Sequence, residues 1–265
     1  MSLDLLTPTP ASAAAPATAE PWRDPATSWR ERTAAIAGLA GPVAAIDVDA
    51  LRDNALDLVV RSSGVPIRVA SKSIRVRDVL DAALALPGYR GILAFTLPEA
   101  LWLAETHDDI VLGYPTVDRA ALATLAADAQ AASRITLMVD DLAQLDLVDA
   151  VAAPASRAEI RVAIDADASW RAPVLGHIGV RRSPVHDAAE VARLARGIAH
   201  RPGFRLVGLM MYEAQIAGQP DDTGSGDAVI RWMQRRSGQE LLDRRGAIVA
   251  ALRDIAPLDS VTGGG

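Results

Sequence analysis

The sequence contains no cysteine. That excludes disulfides, thiolate metal ligands and a cysteine nucleophile. Lysine is almost absent too: the chain has 27 Lys plus Arg, and all but Lys72 are arginine. Arginine serves solubility and ion pairing, but its pKa above ~12 keeps it from acting as an amine nucleophile. The one amine is either retained for its chemistry or is the chance survivor of a bias toward Arg and Ala. Aromatic residues make up 4% of the chain, which argues against a nucleotide-stacking surface. Four histidines, His107, His177, His186 and His200, are scattered without His-x-x-x-His spacing. A metal site made by this stretch alone is therefore not expected. A net charge of −6 disfavours a nucleic-acid partner, which calls for a basic patch. No apolar run reaches the ~20 residues that span a bilayer. A cytoplasmic protein with no membrane partner is the expectation.

What is present is globular: 265 residues, 50% hydrophobic and 23% charged, which suits one large domain or two small ones. Residues 1–24 are rich in Ala, Pro, Thr and Ser, and read as a disordered leader rather than a targeting segment. Residues 25–265 read as the folded part. From Pro42 onward, β-branched runs alternate with Ala/Leu-rich helical runs. Strands are predicted at 43–48, 66–72, 91–96, 109–114, 135–139, 159–164, 205–212 and 258–262. Helices are predicted between them, including 49–62, 118–132, 188–199 and 227–255. Eight strand–helix units in ~250 residues match an α/β fold of the (β/α)8 TIM-barrel type. No Gly-x-Gly-x-x-Gly follows the first strand, so a dinucleotide-binding open sheet lacks its phosphate turn.

Barrels place chemistry at the C-terminal ends of their strands. There the sequence offers Lys72 on the second strand, Asp140 on the fifth, Asp165 on the sixth, and Tyr212, Glu213 and Gln215 on the seventh. Both Asp140 and Asp165 can also be read as helix caps. Strand alternation predicts Arg68, Ala70 and Lys72 on one face. If that face is the barrel interior, burial and Arg68 both favour the neutral amine that forms imines. Gly263, Gly264 and Gly265 follow the last strand-like run and can form a backbone N–H nest for phosphate.

These residues resemble the fold-type III pyridoxal-phosphate enzymes, the alanine racemase N-terminal domain family. The nearest branch is the D-threonine aldolase and D-serine dehydratase group, which includes amino acid deaminase/aldolase sequences. The likeness runs from Pro42-Val43-Ala44-Ala45-Ile46-Asp47 to the chain end. Arg68-Val69-Ala70-Ser71-Lys72-Ser73-Ile74-Arg75 is similar to the family's Arg-Pro-His-x-Lys-Thr-His-Lys segment, which implies that Lys72 is the Schiff-base lysine. The segment from Asp165 to His177-Ile178-Gly179-Val180 resembles Asp-x-Gly…Arg-x-Gly-Val, with His177 where the family has an arginine facing the cofactor. Tyr212-Glu213-Ala214-Gln215 resembles Tyr-Glu-Gly-His, with Gln215 in place of His. Thr262-Gly263-Gly264-Gly265 resembles the start of the phosphate loop.

The resemblance implies pyridoxal 5'-phosphate bound by Lys72, Arg68, His177, Tyr212, Gln215, Thr262, Gly263, Gly264 and Gly265. It implies an amino acid substrate and a homodimer at full length. It also implies a β-rich second domain beyond Gly265 that carries the facing base and, in the lyase branch, a divalent metal. On this expectation the barrel stops near its eighth strand. A lyase acting on β-hydroxy D-amino acids is the favoured activity. An amino acid racemase, a non-catalytic pyridoxal-phosphate carrier and a cofactor-free Schiff-base aldolase stay open.

Overall fold

A computed structural model describes residues 3–7, 25–172, 174–222, 224 and 226–263. The chain divides into two compact units, Met1–Arg90 and Gly91–Gly265.

The first unit holds helices α1 (Pro25–Ile36) and α2 (Val48–Arg61), strand β1 (Ile67–Ala70), and helices α3 (Ser71–Ile74) and α4 (Arg77–Leu84). Its core gathers Leu5, Ala55, Ala82 and Leu86, with Leu51, Leu56 and Tyr89 packed against them. Leu5 is 1% exposed. Of the residues read as a leader, 3–7 are described and place Leu5 in this core, while 1–2 and 8–24 lie outside the described residues. The predicted first strand does not form: residues 43–47 are exposed and belong to neither helix nor strand. Asp47 is the reason at one end. Its carboxylate accepts from the Ala50 amide as the N-cap of α2, and Arg32 pairs with it at 2.7 Å. A cap of this kind commits the chain to leave extended geometry at that residue.

The second unit carries the rest of strand β2 (Tyr89–Ala94), then α5 (Leu97–Ala104), β3 (Ile110–Leu112), α6 (Arg119–Ala127), α7 (Ala129–Arg134) and β4 (Ile135–Val139). There follow α8 (Ala143–Val151), β5 (Ile160–Asp165), β6 (Trp170–Ala172), β7 (Gly176–Ile178), α9 (Ala188–Ala199), β8 (Phe204–Met211), α10 (Ala214–Ala217), α11 (Asp227–Arg253) and β9 (Ser260–Gly263). The main sheet has seven strands in the order β1-β2-β3-β4-β5-β8-β9, which is chain order. The pairs from β2 to β9 are parallel. All five residues of β4 are buried, as a parallel strand covered on both faces requires.

Local chemistry sets the helix boundaries. In α9, Asp187 and Glu190 form a capping box, and Val191, Leu194, Ala195 and Ile198 form the buried face. That i, i+3, i+4, i+7 stripe is the amphipathic pattern of a surface helix. The helix predicted over 118–132 is two helices. Asp128 adopts extended geometry between them, and its carboxylate caps α7. One element was not anticipated: β6 and β7 form an antiparallel hairpin in the crossover from β5 to β8.

Candidate active-site rim

In the second unit the strand register aligns the polar strand ends. Val139 lies opposite Ile164, Asp165 opposite Met210, and Met210 and Met211 opposite Thr262 and Gly263. Asp140, Asp165, Tyr212, Thr262 and Gly263 therefore share the C-terminal end of the sheet.

Asp165 anchors this rim. Its side chain is 0% exposed, and Arg182 Nε donates to its Oδ2 at 2.7 Å. Arg182 Nη2 donates to the carbonyl of Gly113, just past β3. The guanidinium lies over the rings of Tyr114 at 4.5 Å and Tyr212 at 5.6 Å. Phe95 meets Tyr114 edge-on at 5.7 Å. Burial pushes the Asp165 carboxyl up to about 6; Arg182 opposes the shift, while Asp140 and Asp167 add to it. Burial also raises Asp140, against a hydrogen bond from Gln144. Neither aspartate caps a helix: α8 has Leu142 at its N-cap position, and the oxygens of Asp165 serve Arg182 or stay unpaired.

The β6–β7 hairpin supplies a second cluster. Asp167 accepts the Ser169 amide at 3.1 Å and the Ser169 hydroxyl at 2.6 Å. The Ser169 hydroxyl thus donates to Asp167, and its Oγ stands 3.5 Å from His177 Nδ1 with only its lone pairs left to face the ring. This chemistry puts the proton of neutral His177 on Nδ1 and leaves Nε2 as a lone pair. Nε2 is buried and has no partner among the described residues. Nitrogen-15 NMR should find His177 in the Nδ1–H form, and Ser169→Ala should shift the balance toward Nε2–H.

Gln215 is buried in α10. Its Nε2 donates to the Ala168 carbonyl at 2.8 Å and to Ser237 Oγ at 2.9 Å, while its Oε1 is left without a donor among the described residues. Gly179 packs between this oxygen and Ser169. A Cβ there would stand 2.9 Å from Gln215 Oε1 and 2.8 Å from Ser169 Cβ, at φ +124°. Gly179→Ala combines backbone strain with overpacking, so it should cost at least about 2 kcal/mol in denaturant unfolding.

At the end of β9, a Cβ on Gly263 would meet Glu213 Oε1 at 3.1 Å. Arg245 Nη2 binds that oxygen at 3.0 Å and the Met211 carbonyl at 3.1 Å, so the carboxylate beside the glycine run is paired. Gly264 and Gly265 lie outside the described residues.

Lys72 and Arg68 belong to the first unit. The strand predicted to reach Lys72 ends at Ala70, and Lys72 sits in the helical turn α3. Arg75 closes that turn in the left-handed region at φ +52°, with its amide on the Ser71 carbonyl and its Nε on the Lys72 carbonyl at 3.3 Å. Strand alternation therefore does not carry from Arg68 to Lys72. Arg68 is half-buried and Lys72 is exposed, so the expected burial of the amine is not seen.

Sequence reasoning did not single out Arg182, Tyr114, Ser169 or Asp167. No local pattern marks Arg182: doubled arginines occur at Arg181-Arg182, Arg235-Arg236 and Arg244-Arg245 alike. Among the described residues no group of three or more His, Asp or Glu side chains is arranged to hold a metal ion. No helix among them is long and apolar enough to cross a membrane.

The family model for the alanine racemase N-terminal domain matches residues 46–245. No curated protein matches the sequence. Among solved structures, the D-threonine aldolase from Filomicrobium marinum is 24% identical, covers 82% of this chain and 54% of its own, and superposes with a TM-score of 0.63. For the alanine racemase from E. faecalis the values are 18%, 78%, 49% and 0.55. For the D-threo-3-hydroxyaspartate dehydratase from Delftia sp. HT23 they are 22%, 86%, 61% and 0.53. Likeness at this identity shows a common fold. The chain spans about half to three fifths of the length of these proteins.

Proposed function

The chain belongs to the alanine racemase N-terminal domain family, and from that premise we propose that it serves a pyridoxal-phosphate-dependent enzyme acting on amino acids. The observation that carries the reading is Lys72, the only lysine in a chain otherwise supplied with arginine. It follows β1 directly. Within the family reading, we propose a lyase that acts on β-hydroxy D-amino acids. Support comes from the segments around Lys72 and Tyr212-Glu213, and from the aldolase and dehydratase among the similar structures.

The residues of the rim suit the cofactor. His177 Nε2 and Gln215 Oε1 are buried polar atoms with no partner among the described residues, which is a costly state that a bound polar ring would relieve. Thr262 offers a hydroxyl where β9 ends, and the Glu213 carboxylate that stands against Gly263 is paired with Arg245. The family resemblance assigns cofactor contacts to Lys72 and Arg68 in the first unit and to Tyr212 in the second. Gly264 and Gly265, which the resemblance assigns to the phosphate, lie outside the described residues. When bound, the cofactor supplies an electron sink for a bond broken at Cα. Lys72 Nζ would hold the cofactor, and its amine would be the group that carries a proton to or from the substrate Cα. A homodimer in the cytoplasm, with a second domain bringing the facing base and a divalent metal, completes the proposal.

The test uses the full-length protein, loaded with pyridoxal phosphate and reduced with borohydride. Trypsin should then yield Val69–Arg75 intact and bearing a phosphopyridoxyl group, because modified Lys72 resists cleavage. Label elsewhere, or none, overturns the reading. Incubation with a β-hydroxy D-amino acid should release an aldehyde and glycine, or an oxo acid and ammonia. Racemisation with neither product overturns the lyase assignment.

A further inference from the structure

Three of the five Phe and Tyr residues in this aromatic-poor chain, Phe95, Tyr114 and Tyr212, stand just past the ends of β2, β3 and β8. Arg182 lies against two of them. Its flat guanidinium binds through its edge, with Nε to Asp165 Oδ2 at 2.7 Å and Nη2 to the Gly113 carbonyl. That leaves the faces of the guanidinium to the rings, and its Cζ stands over Tyr114 at 4.5 Å and over Tyr212 at 5.6 Å. An ammonium has neither the plane nor the fork to do both. One side chain thus ties together the ends of β3, β5 and β8.

The loop that delivers Arg182 is pinned in turn. Ser183 Oγ donates to the Asp165 carbonyl at 2.7 Å, the Val185 amide donates to Ser183 Oγ at 3.2 Å, and the Asp167 amide donates to the Val185 carbonyl at 2.8 Å. Arg182 therefore has no slack along the chain.

We propose that Arg182 is a positioning residue: held by Asp165 and Gly113, it sets the ring of Tyr212, together with that of Tyr114, at the C-terminal end of the sheet. The inference rests on the reading above for what Tyr212 touches, but not for the stack itself. Asp165 Oδ1 is buried and unpaired among the described residues, so this carboxylate is held by one oxygen and depends on its charge to keep Arg182. The charged groups that face it are Arg182, Asp140 past β4, and Asp167 on its own segment.

The chain has three tyrosines, which makes the stack directly observable by NMR of ring-labelled tyrosine. Tyr89 is the internal control, with its hydroxyl on the Ala55 carbonyl at 2.9 Å in the first unit. In the protein without cofactor, the Tyr114 and Tyr212 rings should shift together as pH falls from 8 to 5, with a midpoint near 6, while Tyr89 stays still. Asp165→Asn should abolish that titration. Arg182→Lys should hold both rings at unstacked positions at every pH. In the loaded full-length enzyme, Arg182→Lys should lower kcat about 10- to 100-fold with little change in KM and leave the Lys72 label intact. Rings that titrate separately, or that ignore Arg182→Lys in a protein folded by circular dichroism, overturn the proposal. A failed Lys72 label with coupled rings would sink the cofactor reading alone.

Discussion

Replacing Lys72 by alanine should remove the borohydride-stable label and reduce turnover of the full-length enzyme by roughly three orders of magnitude or more. Losses of that size are typical when the one group that forms the covalent link is deleted. Arginine should not rescue it, because a guanidinium stays protonated at any pH the enzyme survives. The substitution should leave the fold in place. Lys72 is exposed in a four-residue helical turn, and exposed substitutions usually fall within about 0.5 kcal/mol. A normal melting curve with no label separates loss of chemistry from loss of structure. An exogenous primary amine that restores some turnover to Lys72→Ala would assign the defect to the missing amine.

Replacing Arg182 by methionine should instead act on stability. It strands Asp165, a fully buried carboxylate, and breaking a buried pair in this way costs about 3–5 kcal/mol. The loss should depend on pH with a definite sign. Asp165 already titrates at about 6 in the folded chain, above its ordinary carboxylate value. The folded state therefore binds this proton more tightly than the unfolded state. The contribution of Asp165 to stability is fully present below the ordinary carboxylate pKa and is lost as pH rises through about 6. Without Arg182 the folded value rises further. Denaturant unfolding of Arg182→Met should show its largest deficit at pH 8 and a smaller one at pH 5. The double variant Arg182→Met with Asp165→Leu should recover most of the loss, because an apolar pair can replace a buried ion pair. Failure to recover would place the cost in the Tyr114 and Tyr212 contacts.

Much of the second unit was legible in the sequence because its signals are local. The apolar run Ile135–Val139 marks a parallel strand, and Asp187 with Glu190 marks the start of α9. The first unit was read less well for an equally local reason. The run 43–47 has strand composition, but a strand exists only where a neighbour completes its ladder, and Asp47 commits the chain to α2. At Lys72 the alternation was extended two residues too far, past the helical turn that Arg75 closes in left-handed geometry.

The one lysine, the alternation of strands and helices, and the polar residues at the strand ends follow from the sequence alone, since composition and short-range periodicity carry them. The role of Arg182 does not. Its partners lie 17 residues away at Asp165 and 69 residues away at Gly113, and nothing in a linear pattern says which of many arginines will meet a buried carboxylate. The same holds for the lone pairs left on His177 and Gln215 by Ser169, Ala168 and Ser237. Only the folded chain decides which hydrogen bonds are already taken, and so which atoms remain for a ligand.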